Sequence, residues 1–416
     1  MPEPCRDRPD PFADSLRCDG PRLIDRIRRL GAIGRQDDGS CCRLALTDAD
    51  RQGRDLVVGW MRELGLEVRV DRVGNLIGLR PGREDLAPVM TGSHIDTVAT
   101  GGQYDGCLGV LAGLEAVQVL NERGGATRRP LAVAVFTNEE GVRFQPDMAG
   151  SLVYAGAMPV EEALALVGID GSRCGAELER IGYRGTLEPG AIVPHAFVEL
   201  HIEQGPILDR EGGALGAVAG LQGISWQEVT LRGSANHAGT TPMAMRRDAG
   251  HGAARLACFV HDLALELGGV GTVGSLRLSP SLINVIAREA VATVDLRHPD
   301  EGRLREAERR LEGFLSGLAG DLGVETRRLA RFEPVVFDPG IVEVIERAAA
   351  ALGQPIRRMV SGAGQDAQML ARICPAAMIF VPSIGGISHN PAERTEPGHV
   401  RLGADVLLRT LVELAT

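Results

Sequence analysis

The sequence predicts an α/β fold in which a larger domain is interrupted by a smaller one. Between residues 87 and 141, two β-like apolar runs flank a helical segment, which is a βαβ unit and indicates a parallel sheet. From about residue 218 the order becomes βαββαβ, which is typical of a small two-layer α/β domain. After the inserted segment, the alternation of strands and helices seen before residue 218 resumes. We therefore expect residues 1–217 and 336–416 to form the larger domain and residues 218–335 the inserted one.

Hydrophobic periodicity and glycine stops place the elements of the first part of the larger domain. We expect helices at 22–34, 47–64 and 109–125, and β-like runs at 66–80, 87–94 and 131–141. The first 20 or so residues are dense in Pro and Asp, and we expect them to form a poorly ordered arm.

The same patterns continue through the inserted domain and the rest of the chain. In the inserted domain we expect strands at 224–232, 272–278, 283–296 and 323–333, and helices at 247–267 and 301–319. In the last part we expect helices at 340–352, 365–373 and 400–414, and a strand at 376–382. The sequence contains no internal repeat and no low-complexity tract.

Composition excludes several classes of protein. With 44% hydrophobic and 24% charged residues the chain is globular rather than disordered. No apolar run reaches the roughly 18 residues of a membrane helix, and the first residues lack the apolar core of a secretory signal, so we expect a cytoplasmic protein. The net charge of −10 argues against non-specific nucleic-acid binding. The chain has no lysine, which excludes Schiff-base and P-loop chemistry, and its eight cysteines are expected to be reduced thiols.

Polar residues follow the predicted strands at the ends where open α/β sheets place their sites. His94 and Asp96 come directly after an apolar run, and Asp96 is near enough to orient His94 if that histidine binds a metal. Glycines surround Asp105 and permit a close approach to a ligand. Taken singly, each cluster is explained better by a surface turn.

Two further clusters of polar residues are harder to explain as surface turns. Glu139 and Glu140 follow the apolar run LAVAVF, and adjacent carboxylates at a buried strand end repel each other unless cations are present. One of them could bind metal while the other serves as a base, although such pairs also occur in solvated acidic loops. His201 and His389 follow two more predicted strands. A lone histidine is usually structural, but three of them with acidic partners at strand ends are typical of a metal site.

The candidate metal ligands are His94, Asp105, Glu140, His201 and His389. Five nitrogen and oxygen ligands without cysteine suit Zn²⁺, Mn²⁺ or Co²⁺. Five ligands are too many for one catalytic zinc ion and natural for two ions that share Asp105. Glu139 is then left to act as a general base.

The segments that carry these residues resemble the M20 family of peptidases and amidohydrolases, in its branch of N-carbamoyl-L-amino-acid hydrolases and allantoate amidohydrolases. In order along the chain they are TGSHIDTV, GGQYDGCLGVLAGLEA, FTNEEGVRF, HIEQGP, GSANHAGTTPM, SGAGQDAQMLA and FVPSIGGISHNPAERT. The resemblance implies a mixed-sheet catalytic domain with two divalent ions and an inserted lid or dimerisation domain. It implies the same five ligands, Glu139 as the base, and Asp96 as the support of His94.

The resemblance also implies roles for residues outside the metal site. His237 would stabilise the oxyanion in the active site of the partner subunit of a homodimer. Asn284 and Arg297 would hold a substrate carboxylate, and Gln204 would contact the ureido group. The sequence departs from the family pattern in two places: Gln365 stands where a histidine is common, and Asn284 lacks the usual nearby proline. These departures affect the expected identity of the substrate more than the expected class of reaction.

The expected function is hydrolysis of the N-carbamoyl group of an N-carbamoyl-L-amino acid to the amino acid, CO₂ and ammonia, with Zn, Mn, Co or Ni ions. Allantoate amidohydrolase is the first alternative, followed by β-ureidopropionase and by an M20 dipeptidase or aminoacylase. His201 argues against the peptidases, because they carry an acidic ligand at this place. A metal-binding scaffold without activity is a further alternative, against which the intact Glu139 and the five ligands argue.

Overall fold

A computed structural model describes residues 16–416, which form two compact units. The larger unit runs up to Ala219 and resumes from Phe337 to Thr416, and the smaller unit is Gly220–Val336. The larger unit has a mixed sheet and the smaller one an antiparallel sheet. The predicted fold class is therefore confirmed.

Helices and strands alternate through both units, and we number them in chain order. The helices are α1 (Gly20–Gly31), α2 (Asp48–Glu63), α3 (Cys107–Glu122), α4 (Ala149–Tyr154), α5 (Val160–Ala165), α6 (Cys174–Ile181), α7 (Ile207–Glu211), α8 (Ala249–Leu267), α9 (Glu301–Leu318), α10 (Pro339–Ala351), α11 (Asp366–Leu370) and α12 (Pro397–Ala415). The strands are β1 (Glu67–Val70), β2 (Leu76–Arg80), β3 (Val89–His94), β4 (Leu131–Phe136), β5 (Ala196–Ile202), β6 (Gly216–Leu221), β7 (Gly223–Arg232), β8 (Val270–Ser279), β9 (Glu289–His298), β10 (Gly323–Phe332), β11 (Val335–Val336), β12 (Arg357–Ser361) and β13 (Ala376–Val381).

The sheet of the larger unit places the carboxyl ends of its central strands together. Its order is β1-β2-β4-β3-β5-β13-β6, and β12 also pairs with β6. Strands β4, β3, β5 and β13 run parallel to one another, whereas β2 and β6 are antiparallel to their neighbours. Parallel strands end at the same edge of a sheet, which is where open α/β sheets bind their ligands.

The central strands are apolar because both of their faces are covered. All residues of β3, β4, β5 and β13 are buried, and α3, α11 and α12 pack on them. Strands β3 and β4 are parallel neighbours joined through α3, so the predicted βαβ unit is confirmed. None of the helices in the described part of the chain is long and apolar enough to cross a membrane.

The poorly ordered arm predicted for the first 20 residues lies mostly outside the described residues. From Leu16 onward that prediction is wrong. Leu16 is fully buried, and the backbone N–H of Cys18 donates a 2.6 Å hydrogen bond to Asp405 Oδ1. This stretch is therefore tied to the C-terminal helix, which the local composition does not reveal.

The smaller unit has the predicted βαββαβ order, and its sheet order is β10-β7-β9-β8. Alternate residues of β9 are buried together with leucines of α8 and α9. The strand predicted at 283–296 begins only at Glu289, because residues 283–284 form a turn and Val285 makes a single bridge to His237. The helix predicted at 365–373 ends at Leu370. The cysteines among the described residues are free thiols, as predicted.

Candidate active site

Two groups of candidate metal ligands lie at the carboxyl edge of the central strands. The first group is His94, Asp105 and His201, and the second is Asp105, Glu140 and His389. Within each group the ligand atoms all lie within 4.8 Å of one another. His94 ends β3, Glu140 follows β4, His201 lies in β5 and His389 follows β13. The structure thus brings together the five residues that the sequence indicated as ligands.

Asp105 belongs to both groups and turns a different oxygen toward each. Its Oδ1 lies 3.1 Å from His201 Nε2 and 3.6 Å from His94 Nε2. Its Oδ2 lies 3.2 Å from His389 Nε2, which is itself 3.3 Å from Glu140 Oε2. A carboxylate with this arrangement can bridge two cations.

The two buried histidines have one ring nitrogen fixed by the backbone. His94 Nδ1 is 2.9 Å from the carbonyl oxygen of Asp96, and His201 Nδ1 is 2.9 Å from that of Ile202. A carbonyl only accepts, so each Nδ1 carries a proton, and each Nε2 is the nitrogen that lies toward Asp105. This is the tautomer in which a neutral imidazole binds metal.

Asp96 contacts His94 through its backbone. Its carbonyl oxygen lies 2.9 Å from His94 Nδ1, whereas its carboxylate lies 3.9 Å from the same nitrogen. The carboxylate instead accepts hydrogen bonds from the backbone N–H groups of Glu139 and Glu140, both at 3.3 Å. Asp96 therefore holds the turn that carries the two glutamates.

Glu139 stands beside the first group but is not one of its ligands. Its Oε2 lies 3.4 Å from His94 Nε2. Burial raises the pKa of Glu139 well above its usual range, against the charge of His94. Burial, followed by the charge of Asp105, raises the pKa of Glu140 to about 8. Concentrated carboxylates of this kind favour bound cations, which would stabilise their ionised forms.

Gln204 lies between Asp105 and Gln365. Its Nε2 donates to Asp105 Oδ2 at 2.9 Å, and its Oε1 accepts from Gln365 Nε2 at 2.7 Å. The predicted contact of Gln204 with a ureido group stays a prediction. In this structure both ends of the Gln204 amide are bound to protein.

Glu393 is a site residue that the sequence analysis did not single out. Its Oε1 accepts from the backbone N–H groups of Tyr104 and Asp105 at 3.0 and 3.2 Å. Its Oε2 accepts from the hydroxyl of Ser388 at 3.0 Å, and burial raises the pKa of Glu393 to about 7. The sequence feature that could have indicated Glu393 is a carboxylate four positions after His389 in the same motif.

Glu199 is a second residue that was missed. It is fully buried in β5, where it accepts from Ser93 Oγ at 2.6 Å and from the backbone N–H of Ala367 at 2.8 Å. It links the strand of His94, the strand of His201 and the start of α11. The sequence feature that could have indicated Glu199 is an acidic residue inside an otherwise apolar strand, two positions before His201.

In the smaller unit, His237 and Asn284 lie on paired backbone segments. The N–H of Ala238 donates to the carbonyl of Asn284 at 2.9 Å, and His237 pairs with Val285 as an isolated bridge. His237 Nδ1 accepts from the N–H of Gly239 at 3.0 Å. Neutral His237 therefore carries its proton on Nε2, which is the hydrogen-bond donor that an oxyanion requires.

Arg297 lies on β9 of the smaller unit and is engaged by a carboxylate of the protein. Its Nε and Nη2 donate to Asp295 at 3.1 and 2.9 Å, and its guanidinium carbon is 5.9 Å from the ring centre of Trp226. Asp295 thus occupies the Nε–Nη2 edge of the guanidinium. The predicted contact of Arg297 with a substrate carboxylate stays a prediction.

Comparison with known proteins decides the family. The model of peptidase family M20/M25/M40 matches residues 90–413. The chain belongs to this family. This M20 protein is 43% identical over 407 residues to the N-carbamoyl-L-amino-acid amidohydrolase of Rhizobium meliloti, with 97% of this chain and 98% of the relative covered. It is 34% identical to the allantoate amidohydrolase of Bacillus subtilis strain 168, with 94% and 97% covered.

A solved structure supports the same assignment. The crystal structure of an amidase of the hydantoinase/carbamoylase family from Burkholderia multivorans matches this M20 protein with a TM-score of 0.95 and 44% identity. The match covers 96% of this chain and 99% of that chain. The resemblance stated from the sequence motifs is therefore confirmed.

We expect Gly106→Ala to weaken divalent-ion binding by about 10- to 100-fold, the usual cost of disturbing the surroundings of a ligand. Gly106 has a φ of +62°, and a Cβ there would lie 2.5 Å from Cε1 and Nε2 of His94. Chelator competition with Mn²⁺ measures the change. Gly124→Ala is the matched control, because its φ is +64° and nothing lies within 4 Å. Equal metal affinities of the two variants would contradict the role of Gly106.

Proposed function

We propose that this M20 protein is a metal-dependent amidohydrolase that removes the N-carbamoyl group of an N-carbamoyl-L-amino acid. One water and one ureido group give ammonia, CO₂ and the amino acid. The observation that carries the proposal is the Asp105 carboxylate, which faces a separate group of ligands with each oxygen while Glu139 stands beside them. The name of the Rhizobium meliloti relative supports the substrate class.

The proposed cofactor is a pair of divalent cations. His94, Asp105 and His201 would hold one, and Asp105, Glu140 and His389 would hold the other. Nitrogen and oxygen donors without sulfur suit Zn, Mn, Co or Ni ions. Two such ions, when bound, supply an activated water and polarise the carbonyl of the substrate.

Glu139 is proposed to move the proton. It would take a proton from the attacking water and deliver it to the leaving nitrogen, which needs a carboxyl group able to exist in both forms near neutral pH. Its burial and its hydrogen-bonded backbone support this role, because Asp96 fixes the turn from which the side chain extends. Glu140, next to it, would remain a ligand.

The smaller unit is proposed to recognise the substrate and to assemble the dimer. Asn284 and Arg297 would bind the substrate carboxylate, His237 would donate to the oxyanion, and Gln204 of the larger unit would contact the ureido group. Strand β8 is the edge of its sheet and carries exposed Val270, Leu276 and Leu278. An apolar edge strand is a ready pairing surface, which supports the proposed homodimer. A cytoplasmic location is part of the same proposal.

Allantoate is the second candidate substrate. It carries ureido groups and a carboxylate, and a relative named allantoate amidohydrolase aligns with nearly the whole chain. β-Ureidopropionase activity and dipeptidase or aminoacylase activity follow as weaker alternatives.

Ammonia release from a panel of substrates tests the proposed function. We expect N-carbamoyl-L-amino acids to be hydrolysed faster than allantoate, N-carbamoyl-β-alanine or a dipeptide. Chelation should abolish the activity, and Mn²⁺, Co²⁺, Ni²⁺ or Zn²⁺ should restore it. Faster turnover of allantoate would move the assignment to the second candidate. Full turnover by protein shown to be metal-free by elemental analysis would overturn the mechanism.

Glu139→Gln should retain both metal ions and lose about 10²- to 10⁴-fold in kcat, because only proton transfer is removed. Glu140→Gln is the matched control at the neighbouring position and should instead lose metal affinity. Elemental analysis and steady-state kinetics on both variants make the comparison. Loss of metal from Glu139→Gln with retention in Glu140→Gln would show that the two roles are exchanged.

Mixing two inactive variants tests whether His237 acts across a dimer. His237→Ala alone should lower kcat by about 10²- to 10³-fold, the usual effect of losing an oxyanion donor. After subunit exchange with Glu139→Gln, a heterodimer should regain one active site that combines wild-type Glu139 with the partner's wild-type His237. Differently tagged subunits allow heterodimers to be purified. If purified heterodimers stay inactive, His237 does not act across the dimer.

A further inference from the structure

A chain of side-chain amides leads from α11 to the shared carboxylate. Gln365 Nε2 donates to Gln204 Oε1 at 2.7 Å, and Gln204 Nε2 donates to Asp105 Oδ2 at 2.9 Å. The three residues come from separate parts of the sequence and meet only in the folded larger unit. Gln365 has 1% of its surface exposed, so bulk water does not replace its contact.

The directions of both hydrogen bonds are dictated by chemistry. An ionised Asp105 only accepts, so Gln204 must turn its NH₂ group toward it. The carbonyl of Gln204 then faces Gln365, and a carbonyl needs a donor. Gln365 must therefore present its own NH₂ group. Reversing any one amide would bring two acceptors into contact at one of the two hydrogen bonds.

Both amides start from fixed backbone positions. Gln365 directly precedes α11, where its carbonyl accepts from the N–H of Gln368 at 2.9 Å, and Glu199 fixes the next turn by accepting from the N–H of Ala367. Gln204 has a φ of +58°, and its N–H donates to Ser383 Oγ at 3.0 Å. The chain of amides is thus anchored at its far end and in its middle. At its other end, Gln204 Nε2 lies 2.9 Å from Asp105 Oδ2 and 3.4 Å from His389 Nε2.

We propose that Gln365 is a positioning residue that acts through Gln204 to set the rotation of the Asp105 carboxylate. The contact is made to Oδ2, which is the oxygen that faces Glu140 and His389. Gln365 therefore tunes the affinity for the cation in that second group and leaves the His94–His201 side less affected. This inference rests on the proposed two-ion site.

A double-mutant cycle on metal affinity tests the proposal. Gln365→Met keeps the side-chain length and removes the donor, and we expect it to weaken one of two Mn²⁺ sites by about 2- to 10-fold, the effect of one hydrogen bond. Gln204→Met should weaken the same site by about 10- to 100-fold. The double variant should match Gln204→Met alone, because Gln365 acts only through Gln204. Isothermal titration of metal-free protein with Mn²⁺ gives the affinities.

Two further variants complete the design. Gln368→Met is the matched control on the same helix, because Gln368 is also buried but takes no part in the chain of amides. It should bind both ions like the wild type. Gln365→His restores an N–H donor and should return the affinity toward the wild-type value. If Gln365→Met does not fold, Gln365→Asn replaces it, because its amide is one methylene too short to reach Gln204.

The outcomes separate this inference from the proposed function. Wild-type affinity of Gln365→Met for both ions, or effects of the two substitutions that multiply, would overturn the role of Gln365. A raised KM of Gln365→Met with unchanged metal affinity would also overturn it, because Gln365 would then act on the substrate. If the wild-type protein itself does not bind two Mn²⁺ ions, the proposed two-ion site fails and the inference fails with it.

Discussion

The Asp105 carboxylate is the group on which the rest of the candidate site depends. It is the one candidate ligand common to both groups, so its rotation would decide whether the two proposed cations fit at once. The surroundings of Asp105 fix it from several sides. Glu393 accepts from its backbone N–H, Gln204 donates to its Oδ2, and Gly106 leaves room for the His94 ring beside it. Four parallel strands deliver the remaining ligands to the same place.

The electrostatics of the site favour bound cations. Asp105, Glu139 and Glu140 are concentrated in a small buried volume, and within residues 16–416 no arginine forms an ion pair with any of them. Burial makes the ionised forms of the two glutamates costly and raises the pKa of Glu140 to about 8, whereas the neighbouring histidines lower the pKa of Asp105 well below its usual range despite its burial. Two divalent ions would reverse this cost. The same ions would leave Glu139, outside both groups, free to exchange a proton.

The positions of the candidate ligands were predictable because they follow from local sequence. An apolar run that leads to His94, Glu140 or His201 marks a strand end, and parallel strands bring such ends together. Glu393 and Gln365 were not predictable in the same way. Glu393 lies 288 positions from Asp105, and Gln365 lies 161 positions from Gln204, so their contacts exist only through tertiary packing.

The errors in the predicted elements also arise from tertiary contacts that the local sequence does not show. The run Ile283–Ile286, which is β-branched except for Asn284, is typical of a strand, but residues 283–284 form a turn and Val285 forms a bridge to His237. The real strand starts at Glu289, where continuous pairing with β7 and β8 begins. That same bridge places Asn284 beside His237. The departure from a regular strand therefore brings the backbone of Asn284, a candidate substrate-binding residue, next to that of His237, the candidate oxyanion donor.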